Sequence, residues 1–222
     1  MRNSDKTPIL SVLLRGPPSC GKTAIAAKVA VSSQYPFVRM ISADDMIGFS
    51  DASKCQEIHK AFLDAYKSPL SLIFLDDIER LIDYVHIGPR FSNSVLQTLL
   101  VLLKKPPPDQ GRKLLVIGTT SVPHVMEDLG LMQAFSLSQS VNLLQESSEI
   151  VEVLNAAGGI SLADAKAIAN SINKPIGIKH LLMVAEMAQQ TSDSDKVGVS
   201  NFLEFLHTVG LGLDINIYTI SP

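Results

Sequence analysis

Cysteine is scarce in this 222-residue chain, which carries only Cys20 and Cys55. Two such residues cannot build the disulfide framework of small secreted domains, so the sequence predicts a reducing compartment. Long apolar runs are missing as well. Leu70–Leu75 and Val95–Leu103 are too short or too broken to cross a bilayer, which takes about 20 consecutive apolar residues. The opening Met1-Arg2-Asn3-Ser4-Asp5 is polar and has no signal-peptide apolar stretch. Nor is there an excess of positive charge: 19 basic residues stand against 22 acidic ones, a net charge of −3. That balance leaves no electrostatic footprint for nucleic acid or an anionic membrane. These absences predict a soluble, cytoplasmic chain with no direct membrane insertion, peripheral on membranes only through partners.

What is present is apolar surface, at 46% of residues, with 18% charged. That is ordinary for a packed globular chain and argues against extended disorder. The length suits one large domain and one small one, at about 100–200 residues per domain. Up to about Leu144, short apolar runs alternate with amphipathic ones. Candidate strands are Ile9–Leu14, Phe37–Ile41, Leu70–Leu75 and Lys113–Thr119, with a weaker one near Ser138–Leu143. The unbroken Leu72-Ile73-Phe74-Leu75 fits a parallel strand buried on both faces. Helical spacing appears at Lys22–Ser32, Ser53–Lys67 and Phe91–Lys105, the last with an apolar stripe from Val95 to Leu103 that reads as core packing. Pro106-Pro107-Pro108 then forces an exposed connection.

Beyond Leu144 only helical spacing remains, at Gln145–Asn155, Ser161–Asn170, Gly177–Gln189 and Ser200–His207, with a polar loop at Thr191–Lys196. The expected architecture is α/β: a three-layer parallel-sheet domain over residues 1–144, then a small all-helical domain over residues 145–222.

Between the first strand and the first helix lies Gly16-Pro17-Pro18-Ser19-Cys20-Gly21-Lys22-Thr23, a match to G-x-x-x-x-G-K-[ST] in the setting that pattern requires. The glycines let the backbone curl so that successive N–H groups face phosphate oxygens, and the helix N-terminus adds its positive dipole end. Lys22 can then reach the β- and γ-phosphates, and the Thr23 hydroxyl can ligate magnesium. ATP with Mg2+ is the ligand expected. A second acidic feature supports it: Leu75-Asp76-Asp77-Ile78-Glu79 places carboxylates at the end of a buried strand. Asp76 fits the acid that orients magnesium, and Asp77 the position that activates water. A pair capping the following helix is the plainer alternative.

Several residues carry less. Cys20 sits inside the loop near a helix N-terminus, so its alkylation is expected to block nucleotide entry unless it is an inert filler. Cys55 reads as a core residue. His59, His86, His124 and His207 show no ligand spacing with cysteine or acid, and no zinc site is expected.

Five strings add specificity: Ile47-Gly48-Phe49, Asp64-Ala65-Tyr66-Lys67-Ser68, Leu75-Asp76-Asp77-Ile78-Glu79-Arg80-Leu81, Ile87-Gly88-Pro89-Arg90-Phe91-Ser92-Asn93 and Ile117-Gly118-Thr119-Thr120-Ser121. With the phosphate loop, they make residues from about Thr7 to His207 resemble the second ATPase domain of the vesicle-fusing ATPases. These are the AAA+ rings of the N-ethylmaleimide-sensitive fusion protein type, which disassemble SNARE complexes. The resemblance implies an AAA+ core with a helical lid, membership of a hexameric ring, tight ATP binding with slow hydrolysis, and a ring-stabilising role. SNARE–adaptor complexes would be reached only through domains other than this one.

The resemblance also assigns positions. Ser121 stands where the family's sensor is commonly Asn. Asp77 stands where the water-activating residue is usually Glu. Asp128–Leu137, the stretch that should hold an arginine finger, contains no Arg. Met46 stands where translocating rings have the pore-loop aromatic, so no threading grip is expected. Gly177-Ile178-Lys179-His180 falls at the second sensor, where a lysine approaches the γ-phosphate; by spacing its equivalent is His180, with Lys179 beside it, the alternative being a solvated pair on a helix surface. Arg90 reads as a surface arginine, with reach to a neighbouring subunit as the other reading. The family's adenine pocket includes a segment before the first strand, where this sequence has Met1–Pro8, so weaker base recognition is expected. Two readings compete with this one: an ATPase that turns over usefully despite its altered residues, and a fragment without productive nucleotide binding that docks on full-length partners.

Overall fold

The computed structural model describes residues 7–88, 90–191 and 197–210. Most of the polar start before the first strand, Pro89 of the shared strings, residues 192–196 of the polar loop, and the chain beyond Gly210 lie outside the described residues. By its contacts the chain divides into two units. One holds the described residues up to Pro17 together with Lys22–Val141; the other holds Pro18–Gly21 and those from Asn142 onward.

The first unit is a five-stranded, all-parallel sheet of β1 (Ile9–Arg15), β2 (Phe37–Ile41), β3 (Leu70–Leu75), β4 (Lys113–Thr120) and β5 (Leu137–Ser140), in the order β2-β3-β4-β1-β5. Helices intervene at α1 (Lys22–Ser33), α2 (Asp51–Ala65), α3 (Ile78–Leu81), α4 (Asn93–Leu102) and α5 (Pro123–Asp128). The two-residue period of a strand splits the apolar runs between two faces. Leu13, Ile73, Leu75, Leu114 and Val116 join Ile58 and Phe62 of α2 and Val95 and Leu99 of α4 in the larger core. Leu14, Leu72, Phe74 and Ile117 share the smaller one with Ala26 of α1. Three layers result, and β3 is buried on both faces because helices cover both sides of the sheet. Each such Leu, Ile or Phe contributes about 1.5–3 kcal/mol by leaving water.

Helix starts follow serines. Ser50 Oγ accepts from Ser53 N at 3.3 Å and Ser92 Oγ from Val95 N at 3.3 Å. These caps start α2 two residues earlier than the apolar spacing predicts and α4 two residues later. The weaker strand is also real but shifted: β5 ends at Ser140, after which Val141 N still donates to Arg15 O at 2.8 Å. The short α3 and α5 have no periodic signal and are absent from the sequence reading. The apolar stripe of α4 is core as expected, with Val95, Leu96, Leu99 and Leu102 buried.

Met46, at the position of the pore-loop aromatic, is 3% exposed, because the 3-10 turn Asp44–Met46 rolls it into the larger core, and Ile47 beside it is 81% exposed. One expectation needs correction. Cys55 is only half-buried and packs against the edge of that core.

The second unit contains α6 (Ser147–Ala157), α7 (Leu162–Ser171), α8 (Ile178–Gln190) and α9 (Val199–Thr208). Ile150, Leu154, Ile168, Leu181, Val184, Phe202 and Leu206 form its core, with Ala165, Ala169, Ala185 and Ala188 allowing close helix approach. A capping box between Glu146 and Glu149 starts α6, and Ser161 Oγ accepts from Asp164 N at 3.2 Å to start α7. No described helix is long and apolar enough to cross a membrane.

Candidate functional site

The strand β1 delivers the chain into the loop Gly16–Gly21, and α1 begins at Lys22. Ser19 (φ 64) and Gly21 (φ 95) take left-handed backbone, which curls the loop. Glycine adopts that region without strain; Ser19 does so at some cost. Lys22 is 5% exposed, and its Nζ donates to the carbonyl oxygens of Gly16 at 2.9 Å and Pro17 at 2.7 Å. The buried ammonium is thus held over backbone carbonyls of the loop itself.

The loop tip Pro18–Gly21 belongs by its contacts to the helical unit. There Ser19 O accepts from Lys179 N at 3.1 Å, and Ser19 Oγ lies 3.2 Å from His180 Nε2. Of the two residues expected at the second sensor, Lys179 meets the loop through its backbone and His180 through its ring. Cys20 is 6% exposed, so its thiol is closed off in this conformation.

At the end of β3, Asp76 Oδ1 accepts from Thr23 Oγ1 at 3.0 Å and from Thr119 Oγ1 at 2.8 Å. Thr119 Oγ1 in turn accepts from Asp77 N at 2.9 Å. A threonine hydroxyl and a carboxylate side by side are hard oxygen donors of the kind magnesium takes. Asp77 occupies the N-cap position of α3 in left-handed backbone (φ 46, ψ 69), yet its side chain makes no capping hydrogen bond; Oδ2 lies 3.7 Å from Arg80 Nε. Burial first, then the charges of Glu79 and Asp76, push its carboxyl above the usual range, against Arg80 and Lys22, which pull it down. Ser121 follows β4, and its N–H donates to Glu79 Oε1 at 2.8 Å.

Lys22, Thr23, Asp76, Asp77 and Ser121 all belong to the sheet unit, at the C-terminal ends of β1, β3 and β4. Two contributors escaped the sequence reading. Thr119 is fully buried and touches both aspartates; a run of small polar residues, Thr119-Thr120-Ser121, ending an apolar strand was the available signal. Glu79 has no signal of its own beyond its place three residues after Asp76.

The AAA family, described as the ATPase family associated with various cellular activities, matches residues 12–141, which include the loop and the acidic strand end. The chain belongs to the AAA ATPase family. The match stops at Val141, where the sheet unit ends. Among individual relatives, the chain is 46% identical over 190 residues to a vesicle-fusing ATPase of Dictyostelium discoideum, covering 86% of this chain and 26% of that protein. It is 43% identical over 213 residues to a vesicle-fusing ATPase of Arabidopsis thaliana, covering 91% and 28%. Against the vesicular-fusion protein SEC18 of Saccharomyces cerevisiae it is 37% identical over 198 residues, covering 87% and 26%. The chain therefore spans about a quarter of the length of the relatives it matches. Membership of the AAA family implies nucleotide binding, and the Lys22, Thr23 and Asp76 arrangement is chemically suited to a triphosphate with magnesium.

Proposed function

We propose that this AAA domain binds ATP with magnesium through Gly16–Thr23 and Asp76, hydrolyses it slowly, and serves chiefly to hold a ring together. The observation that carries the reading is the convergence on one loop of a buried Lys22 ammonium and the Thr23–Asp76 hydrogen bond. Lys22 would exchange its two carbonyl partners for phosphate oxygens, and backbone amides of the curled loop would hold the remainder. Thr23 and Asp76 would hold the metal, which neutralises charge on the β- and γ-phosphates.

Slow turnover follows from the residues placed around that cradle. Asp77 is one methylene shorter than glutamate, and a carboxylate about 1 Å out of place can cost ~100-fold in rate. Residues 128–137 hold no arginine that a ring neighbour could use, and such a finger contributes roughly 10³–10⁵ in turnover. Slow hydrolysis with tight binding suits an ATP that acts as a joint between subunits. The likeness to vesicle-fusing ATPases supports a place in a hexameric ring of that kind, as its second ATPase domain, in the cytoplasm, with SNARE–adaptor complexes engaged by other domains. Because nucleotide would then bind the assembled form better than the single chain, mass action makes assembly depend on ATP.

The test is a titration of the purified chain with a fluorescent ATP analogue, with and without magnesium, beside Lys22→Ala. A saturable, magnesium-dependent signal that the variant loses supports the site. No saturable signal from the parent chain removes it, and leaves a chain that acts by docking on full-length partners.

A further inference from the structure

We propose that Glu79 is a positioning residue for ATP hydrolysis, fixing the Ser121 end of β4 against the Asp76–Asp77 end of β3. This rests on the ATP-site reading given above.

The two strand ends are stitched at two levels. Thr119 makes the first stitch, donating to Asp76 Oδ1 at 2.8 Å and accepting from Asp77 N at 2.9 Å. Two residues further along, just past the end of β4, Ser121 N donates to Glu79 Oε1 at 2.8 Å. The left-handed turn at Asp77 starts α3 immediately after the strand, and Glu79 is the second residue of that short helix. Backbone strain of this kind persists where the surroundings over-determine it. The Thr119 and Glu79 bonds do so here, from the end of β4 and the residue that follows it.

Packing alone does not explain the carboxylate. Glu79 Oε2 is sealed from solvent and has no hydrogen-bond partner among the described residues. A polar oxygen left unpaired away from water is costly, and an apolar side chain avoids that cost. The oxygen that is paired meets the backbone of the one residue after β4 that stands at the sensor position. Placement of such a residue matters to a reaction that depends on geometry more than on covalent chemistry by the protein.

The experiment compares the full chain with Glu79→Ala and Glu79→Gln in three measurements: affinity for a fluorescent ATP analogue with magnesium, single-turnover hydrolysis of ATP, and hydrogen exchange of the Ser121 amide without nucleotide. Glutamine keeps an oxygen that accepts from Ser121 N; alanine does not. The expected result for alanine is unchanged affinity, hydrolysis slower by about ten-fold, and faster exchange at Ser121, with all three near the parent in glutamine. The proposal is overturned if alanine hydrolyses at the parent rate, if glutamine is as slow as alanine, or if affinity falls in step with rate. A parent chain that binds nucleotide but never hydrolyses it also overturns the proposal while sparing the ATP site. A parent chain that binds none overturns both.

Discussion

Thr23 donates its hydroxyl proton to Asp76 Oδ1 across 3.0 Å, joining the first turn of α1 to the end of β3. One residue is adjacent in sequence to the lysine of the phosphate loop; the other is 53 positions away. That bond supplies the first prediction. Asp76→Asn keeps an oxygen that accepts from Thr23 and Thr119 but removes the charge a metal needs. Binding of the ATP analogue should weaken in magnesium by about 1.5–3 kcal/mol, while affinity in chelator and the melting temperature barely change. A variant that still tightens its grip when magnesium is added would show that the metal is held elsewhere.

Asp77 gives a pH-dependent prediction. Its carboxyl is raised from the ordinary 3.8, first by burial and then by Glu79 and Asp76. A raised acid holds its proton more tightly in the fold, so the nucleotide-free chain loses stability as pH climbs from the unfolded value through the folded one. Above that window the penalty is complete, and near pH 4 it fades. Asp77→Asn should therefore melt higher than the parent at pH 7, with the gap closing as the solution is acidified. A variant that melts lower at pH 7 means that the Arg80 attraction outweighs the burial.

Much of this was legible in the sequence because the signals were local. The phosphate loop is one contiguous string, and four strands announced themselves by runs such as Leu72–Leu75, whose burial on both faces leaves no polar alternation to confuse the reading. The edge strand β5 was weak for the opposite reason: all four of its residues are exposed, so little apolar pattern marks it. Which of two neighbours, Met46 or Ile47, enters the core was not legible, because one turn of 3-10 helix decides it. Thr119 and Glu79 matter through partners 43 and 42 residues away, which spacing cannot show.

Gly118 lies in β4 where α3 crosses it. A Cβ there would stand 2.7 Å from Phe135 Cζ and 2.8 Å from Ile78 Cδ1. Both neighbours are buried, so neither can swing away. Gly118→Ala should cost about 1–3 kcal/mol, the usual penalty for overfilling a packed core. Denaturant melts of the nucleotide-free chain measure it, and an unchanged midpoint would mean that α3 yields easily.

Gly177 poses a different question, because its backbone (φ −73, ψ 134) is open to any residue. What excludes a side chain is space: a Cβ would come 2.9 Å from both Ser19 Cβ and Ser19 O. Ser19 O is the atom that accepts from Lys179 N, so alanine at 177 must push the loop tip or the first turn of α8. Gly198 makes the comparison clean. It caps α9 with nearly the same backbone (φ −77, ψ 149), and a Cβ there meets nothing within 4 Å. Replacing either glycine by alanine loses the same modest N-cap preference, of about 0.5–2 kcal/mol at most. Only Gly177→Ala crowds the tip of the phosphate loop. It should weaken ATP-analogue binding by about ten-fold, in keeping with the sensitivity of such sites to small displacements, and Gly198→Ala should leave binding unchanged. Equal affinities for the two variants would mean that the loop tip does not depend on α8 for its shape.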